Sequence, residues 1–329
     1  MSYIHNKFVG LVLVAWIVLS PAHSALAGSP EQFVVFGDSL SDPGNAFVEL
    51  KRFGAQPFVA VPPFLSLIPD APYARGAHHF SNGPTWIEQL ALLDNAQPSA
   101  GPALVAPTVF SNYAVGGALA RGSGPFDLSG QVNLFLGDFR GRGPADALYV
   151  MWAGGNDVRD ALEAIARGDS IGAALIVQNA VSSISNNLLT LYGVGARRFL
   201  VPNVPDIGLA PAVRLQGSDA QLAASGLSLG FKNALDLALA SLDSLPGVQI
   251  VRLDVFTIVQ HVVAKPADFG LTDVQDPCIE LNTFVHAFCG RPDKFLFWDG
   301  IHPTVAGHAI LARQANVALG ITSALVTAR

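Results

Sequence analysis

The chain has 329 residues, half of them hydrophobic and only 13% charged, with a net charge of -6. Roughly a quarter of an average globular chain is charged, so this composition excludes a disordered polymer and implies a large core with apolar or Gly/Pro-rich loops. A negative balance without a basic patch argues against nucleic acid as a partner, because a phosphate backbone has to be neutralised by Lys and Arg.

The first residues carry Lys7, an apolar run from Phe8 to Leu19, Pro21 and the small-residue sequence Ala25-Leu26-Ala27. This is the pattern of an export signal at residues 1–27, cleaved after Ala27, and the apolar run is short for a membrane span. The expected mature chain, residues 28–329, is a single domain that is secreted or periplasmic.

Phe33-Val34-Val35-Phe36 reads as a buried strand that breaks at Gly37 into a polar turn with Asp38, Ser39, Ser41 and Asp42. Ligands bind at the carboxyl ends of strands in an open parallel sheet, so Ser39 stands where a nucleophile could act. The same polar residues would also suit a helix cap. Residues 46–84 show no period of 2 or 3.6 and are rich in proline and aromatics, which fits either a pocket-lining loop or a rigid cover. A helix is expected over Thr85–Leu93. Ser111–Ala118 reads as the end of a short strand falling into the Gly116-Gly117 turn, where a backbone N–H could face a ligand oxygen.

Residues 121–144 read mostly as loop, with a short helix from Gln131 to Phe139. The apolar run Ala147–Trp152 suits a central parallel strand and ends in Gly154-Gly155-Asn156-Asp157, where Asn156 could offer its amide to a substrate or simply shape a turn. A long helix over Ile171–Tyr192, a strand at Arg198–Val201, a helix over Gln221–Leu245, a strand at Val248–Leu253 and a final helix over Val305–Leu319 complete the pattern. Strands alternating with helices imply a parallel sheet covered on both faces. Cys278 and Cys289 are the two cysteines, and in an exported chain such a pair is most simply a disulfide closing a small loop. A metal site would need more ligands than His286 between them. Asp299 and His302, three residues apart in a turn bounded by glycine and proline, could pair a carboxylate with Nδ1 while Nε2 faces a nucleophile, or could be an ordinary turn beside a buried histidine.

Four blocks, FGDSLSDPGN, NYAVGGA, GGND and FWDGIHPT, occur in one order from Phe33 to the final helix. In this the sequence resembles the GDSL esterases and lipases, or SGNH hydrolases. The resemblance implies a three-layer α/β/α, flavodoxin-like fold and a secreted enzyme that hydrolyses carboxylic esters through an acyl-enzyme, without metal or organic cofactor. It implies Ser39 as nucleophile, His302 as general base and Asp299 as the residue orienting it. It assigns the oxyanion hole to the backbone N–H groups of Ser39 and Gly117 and the Asn156 amide. Asp38, Asp42 and Asn45 would support the nucleophile turn. Related sequences often carry cysteines ahead of the last block, in keeping with a Cys278–Cys289 disulfide.

His79 and Pro84 stand where the family often has arginine, and Pro43 where threonine is common. The expected partner is a small-molecule or lipid ester, with lipid or aryl esters favoured and transient contact with a lipid surface included. Phospholipase, acyltransferase and carbohydrate-ester deacetylase activities use the same architecture. A non-catalytic binding protein would have no need for a base and its orienting acid. A phosphate binder would need a Gly-rich loop with its lysine, which Gly37–Ser41 lacks.

Overall fold

The computed structural model describes residues 30, 32–52, 78–279 and 289–320. The expected export signal, residues 53–77 of the proline-rich stretch and His286 lie outside the described residues.

Strand β1 (Phe33–Gly37) is followed by helices α1 (Asn45–Arg52), α2 (Trp86–Leu93) and α3 (Leu128–Asp138). Strand β2 (Leu148–Trp152) then runs into α4 (Gly155–Ala166) and α5 (Ser170–Gly193). After β3 (Arg198–Pro202) come α6 (Pro211–Arg214) and α7 (Ser218–Leu242), and after β4 (Gln249–Leu253) comes α8 (Val255–Ala264). Short strands β5 (Asp273–Pro277) and β6 (Phe295–Phe297) precede α9 (Val305–Ala318).

The main sheet is parallel, in the order β1-β2-β3-β4, with Val35 opposite Val150, Val150 opposite Leu200 and Leu200 opposite Val251. On the other side of β1 lies the extended chain around Asn112. Val35 donates to the Ser111 carbonyl at 2.9 Å and Tyr113 to the Val35 carbonyl at 2.8 Å. Counting this segment, the chain order across the sheet is 2-1-3-4-5, the flavodoxin-like arrangement, and its switch point falls between β1 and β2.

Side-chain alternation divides the core into two layers. Val34, Phe36, Tyr149, Met151, Phe199 and Val201 pack with α3, α5 and α7 on one face. Phe33, Val35, Leu148, Val150, Trp152 and Leu200 pack with α2, α8 and α9 on the other. Successive residues of a strand point to opposite faces, so a run that is apolar at every position has to be covered on both. The result is a three-layer α/β/α fold.

Several local expectations need correction. The stretch read as irregular from residue 46 begins with α1, whose first turn is capped from outside it: Gly44, Asn45 and Ala46 donate to the Asp42 carboxylate at 2.7, 2.6 and 3.0 Å. Helix α3 starts at Leu128 rather than Gln131. Helix α7 begins earlier and ends earlier than expected, at Ser218 and Leu242. The 111–118 segment is bonded to β1 only locally, as extended chain rather than a full strand. Helices α4, α6 and α8 went unread; α6 is a single short turn, and α4 and α8 each start within two or three residues of a strand, leaving no loop to mark the change of period.

Gln131 of α3 closes the end of β1. Its side chain accepts from the Gly37 N–H at 2.9 Å and donates to the Gly37 carbonyl at 2.7 Å, and Gln131 is fully buried. Replacing Gln131 by Leu leaves two buried backbone groups without this partner. The expected loss is about 1–3 kcal/mol, read as a lower urea midpoint at an unchanged slope.

Candidate active site

Ser39 sits in the turn directly beyond β1, at the switch point, and is buried apart from a small exposed face. His302 approaches it from the far end of the chain: Nε2 lies 2.8 Å from Ser39 Oγ, and Nδ1 lies 2.7 Å from Asp299 Oδ2. The other oxygen, Asp299 Oδ1, accepts the backbone N–H groups of Ile301 at 2.9 Å and His302 at 2.7 Å. An ionised carboxylate can only accept, so the ring proton belongs on Nδ1 and the Nε2 lone pair faces the serine hydroxyl. The arrangement can therefore take a proton from Ser39.

The loop carrying this pair is held on all sides. Trp298 N–H donates to the His302 carbonyl at 2.8 Å, closing the turn. Ile279 N–H donates to the Trp298 carbonyl at 2.8 Å, and Cys278 N–H to the Phe297 carbonyl at 3.0 Å. Cys278 and Cys289 form a disulfide that packs with Ile279 against Trp298. From the other side, Ser81 Oγ donates to the Pro303 carbonyl at 2.9 Å, Val305 N–H donates to Asn82 Oδ1 at 2.7 Å, and the Phe80 ring lies 5.3 Å from the His302 ring.

Opposite Ser39, the backbone distinguishes two neighbouring glycines. Gly116 N–H donates to Asp42 Oδ2 at 2.8 Å. Gly117 has φ +84°, a conformation that favours glycine, and its N–H makes no hydrogen bond among the described residues; the same holds for the Ser39 N–H. Asn156 lies in the first turn of α4 and gives one amide hydrogen to the Ala118 carbonyl at 2.9 Å, which leaves its second for a ligand. The tight entry into α4 depends on Gly154 at φ +124°. Asp157, fully buried, accepts from Ala120 N–H at 2.8 Å and from Arg121 Nη1 at 2.9 Å, tying α4 to the 116–121 loop.

Asp42 and Asn45 support the turn from the other side. Asn45 Nδ2 donates to the carbonyls of Asn112 at 2.8 Å and Ala114 at 2.9 Å. Motif reading passed over Gln131, Asn112 and Asp157 as structural partners. A polar side chain inside an apolar stretch is the signal that could have found Gln131 and Asn112, since buried polar groups need partners, whereas Asp157 stands in a polar turn and its partners lie in the 116–121 loop.

Burial pushes the carboxyls of both Asp38 and Asp42 up to about 6, opposed at Asp38 by the Leu40 N–H at 3.1 Å and the nearby His302, and at Asp42 by the N–H groups of Gly116, Gly44, Ala46 and Asn45.

A family model described as GDSL-like Lipase/Acylhydrolase matches residues 33–315. The chain belongs to this family. Among curated relatives of this GDSL chain, a protein named Inactive GDSL esterase/lipase-like protein 25 from Arabidopsis thaliana is 25% identical, over 87% of this chain and 69% of its own length. Thermolabile hemolysin of Vibrio parahaemolyticus is 26% identical over 88% of this chain, which spans 64% of that protein. Phosphatidylcholine-sterol acyltransferase of Aeromonas hydrophila is 27% identical over 94% of this chain and 95% of its own.

For Asp38 the sign of the pH effect follows from its raised value. Between its ordinary value of 3.8 and about 6 the folded state holds a proton that the unfolded chain has released. Its contribution to stability is present below that window and is lost as pH rises through it. Replacing Asp38 by Asn removes this loss, so thermal melts should show the variant gaining on the parent protein between pH 4 and 6.

Proposed function

We propose that this GDSL-family chain is a serine hydrolase of carboxylic esters, secreted as the single domain 28–329 after loss of residues 1–27. The observation that carries the reading is the unbroken line of contacts from Asp299 through His302 to Ser39, at 2.7 and 2.8 Å.

In this mechanism Ser39 Oγ attacks the ester carbonyl carbon while its proton passes to His302 Nε2. The carbonyl oxygen becomes an oxyanion held by the N–H groups of Ser39 and Gly117 and the second amide hydrogen of Asn156. Asp299 stabilises the imidazolium. Collapse of the tetrahedral intermediate breaks the carbon–oxygen bond of the leaving group, and His302 returns the proton to the departing alcohol. The acyl group is then bonded to Ser39. Water attacks next, giving its proton to His302, and the second collapse frees the carboxylic acid and restores the serine hydroxyl. No step calls on a metal ion or an organic cofactor.

Lipid and aryl esters remain the favoured substrates. A second reading, acyl transfer, draws support from the relative named Phosphatidylcholine-sterol acyltransferase, which this chain matches over 95% of that protein's length. An alcohol would then take the place of water at the acyl-enzyme.

Replacing Ser39 by Ala should abolish fluorophosphonate labelling and lower kcat on p-nitrophenyl esters by about three orders of magnitude or more. Retained labelling or turnover would mean a different nucleophile. Replacing Asn156 by Ala should lower kcat by about 10²–10³ with labelling still detectable, as expected of a group that binds the oxyanion rather than attacks. Adding a soluble alcohol and measuring ester product against free acid separates transfer from hydrolysis.

A further inference from the structure

Asp38 borders the same cavity as Ser39, Asn156 and His302. It is only 3% exposed, and the Leu40 N–H reaches back across Ser39 to donate to its Oδ1 at 3.1 Å. That bond folds the carboxylate over the backbone of the nucleophile. The other oxygen, Oδ2, makes no hydrogen bond among the described residues and faces the start of α4, where a Cβ placed on Gly155 would lie 3.7 Å from it. The cavity wall's second acid, Asp206, is engaged: it accepts from Ser225 Oγ at 2.6 Å, Gln260 Nε2 at 2.8 Å and Gly208 N–H at 3.2 Å. Asp38 Oδ2 is thus a buried acceptor beside the nucleophile with unused capacity, although buried polar groups ordinarily find partners. A donor that arrives with the reaction would complete it.

Hydrolysis of the acyl-enzyme brings one such donor. The attacking water carries two hydrogens: one goes to His302 Nε2, and in a cavity walled largely by hydrocarbon the other needs an acceptor of its own. We propose that Asp38 Oδ2 accepts this second hydrogen and so holds the attacking water; the inference rests on the serine-hydrolase reading above. The water oxygen bonds to the acyl carbon while His302 takes one proton, which passes to Ser39 Oγ as the acyl bond to the serine breaks. The hydrogen facing Asp38 stays on the oxygen of the departing acid. An alcohol has a single hydroxyl hydrogen, which goes to His302, and toward Asp38 it presents carbon. Asp38 therefore serves hydrolysis and not transfer, and the first attack of Ser39 on an ester does not call on it either.

Charge sets the pH range in which Oδ2 can accept. Burial, aided by Asp157 of α4, raises the Asp38 carboxyl to about 6, against the Leu40 N–H from its own turn, His302 from the turn before α9 and Arg159 from α4. Because Oδ1 is held by the Leu40 N–H, the proton taken up below that value goes to Oδ2. Oδ2 then changes from acceptor to donor, and its hold on the water's second hydrogen is lost.

The test follows p-nitrophenyl butyrate in aqueous methanol. Nitrophenol release reports acylation, and the ratio of methyl butyrate to butyric acid reports how the acyl-enzyme divides between the two acceptors. That ratio is set within molecules that have already reacted, so an unfolded fraction does not enter it. Both acceptors pass their proton to His302, so its titration cancels as well. Asp38→Asn keeps an oxygen for the Leu40 N–H and puts an amide donor where Oδ2 stood. At pH 8 it should raise the ester-to-acid ratio by about tenfold or more and turn nitrophenol release into a burst followed by a slower steady rate. In the parent protein the ratio should climb as pH falls from 8 to 5, and in Asp38→Asn it should stay level. A ratio that Asp38→Asn leaves unchanged, however far kcat falls, would overturn the water site and leave the hydrolase reading standing. If the variant is inactive the parent protein decides, and a ratio that is flat between pH 8 and 5 would overturn the water site equally. Turnover that survives Ser39→Ala would overturn the hydrolase reading itself.

Discussion

The carboxylate of Asp42 is fully buried and surrounded by backbone donors, and the geometry around Ser39 depends on that. Gly44 and Asn45 donate to one of its oxygens, and Ala46 and Gly116 to the other. A buried charge is costly unless such partners offset the loss of water. Here the donors come from the start of α1 and from the loop after the 111–115 segment, so one side chain joins the chain leaving β1 to the chain leaving the neighbouring 111–115 segment. It also occupies the Gly116 N–H, which leaves the Gly117 N–H open. Asn45 and Asn112 extend the network, with Asn112 Nδ2 donating to the Ser41 carbonyl at 2.8 Å. The turn bearing Ser39 is thereby held from both sides before any substrate arrives.

The other half of the site comes from the opposite end of the chain. His302 lies 263 positions from Ser39, and bringing them within 2.8 Å requires the whole sheet and α9 to be in place. The pairing of β5 with β6, the disulfide packed on Trp298 and the Ser81 and Asn82 contacts fix the loop that carries Asp299. Donors aimed at an oxyanion are effective when they need no rearrangement at the moment of reaction. Two rigid supports meeting at one edge meet that condition for the proposed mechanism.

The cavity beside Ser39 is bordered at its mouth by residues of the motif blocks, Ser39, Asn156 and His302, and beyond them by apolar side chains of α4, α8 and α9, of which α4 itself begins inside a motif block.

Much of the architecture was legible in order, because the apolar runs at Phe33–Phe36 and Ala147–Trp152 are hydrophobic at every position and a parallel sheet covered on both faces is the arrangement that buries them. Ser39, Asn156, Asp299 and His302 stood out as candidates because each stands in a short polar turn next to glycine or proline, and the order of the four family blocks is what suggested a role for each. Helices α4 and α8 were not, since they start almost as soon as a strand ends. Helix α1 was hidden because its cap, Asp42, lies outside the helix and also serves Gly116 far along the chain. Local sequence thus determined which residues are candidates for a site and which segments must be buried, through periodicity and turn chemistry that act over a few residues. Only the tertiary structure decided which glycine N–H remains open, how Asp299 is oriented by two backbone amides, and that Leu162, Val262 and Ile310 line one cavity. Those outcomes depend on contacts between residues tens to hundreds of positions apart, where packing rather than local pattern is the cause.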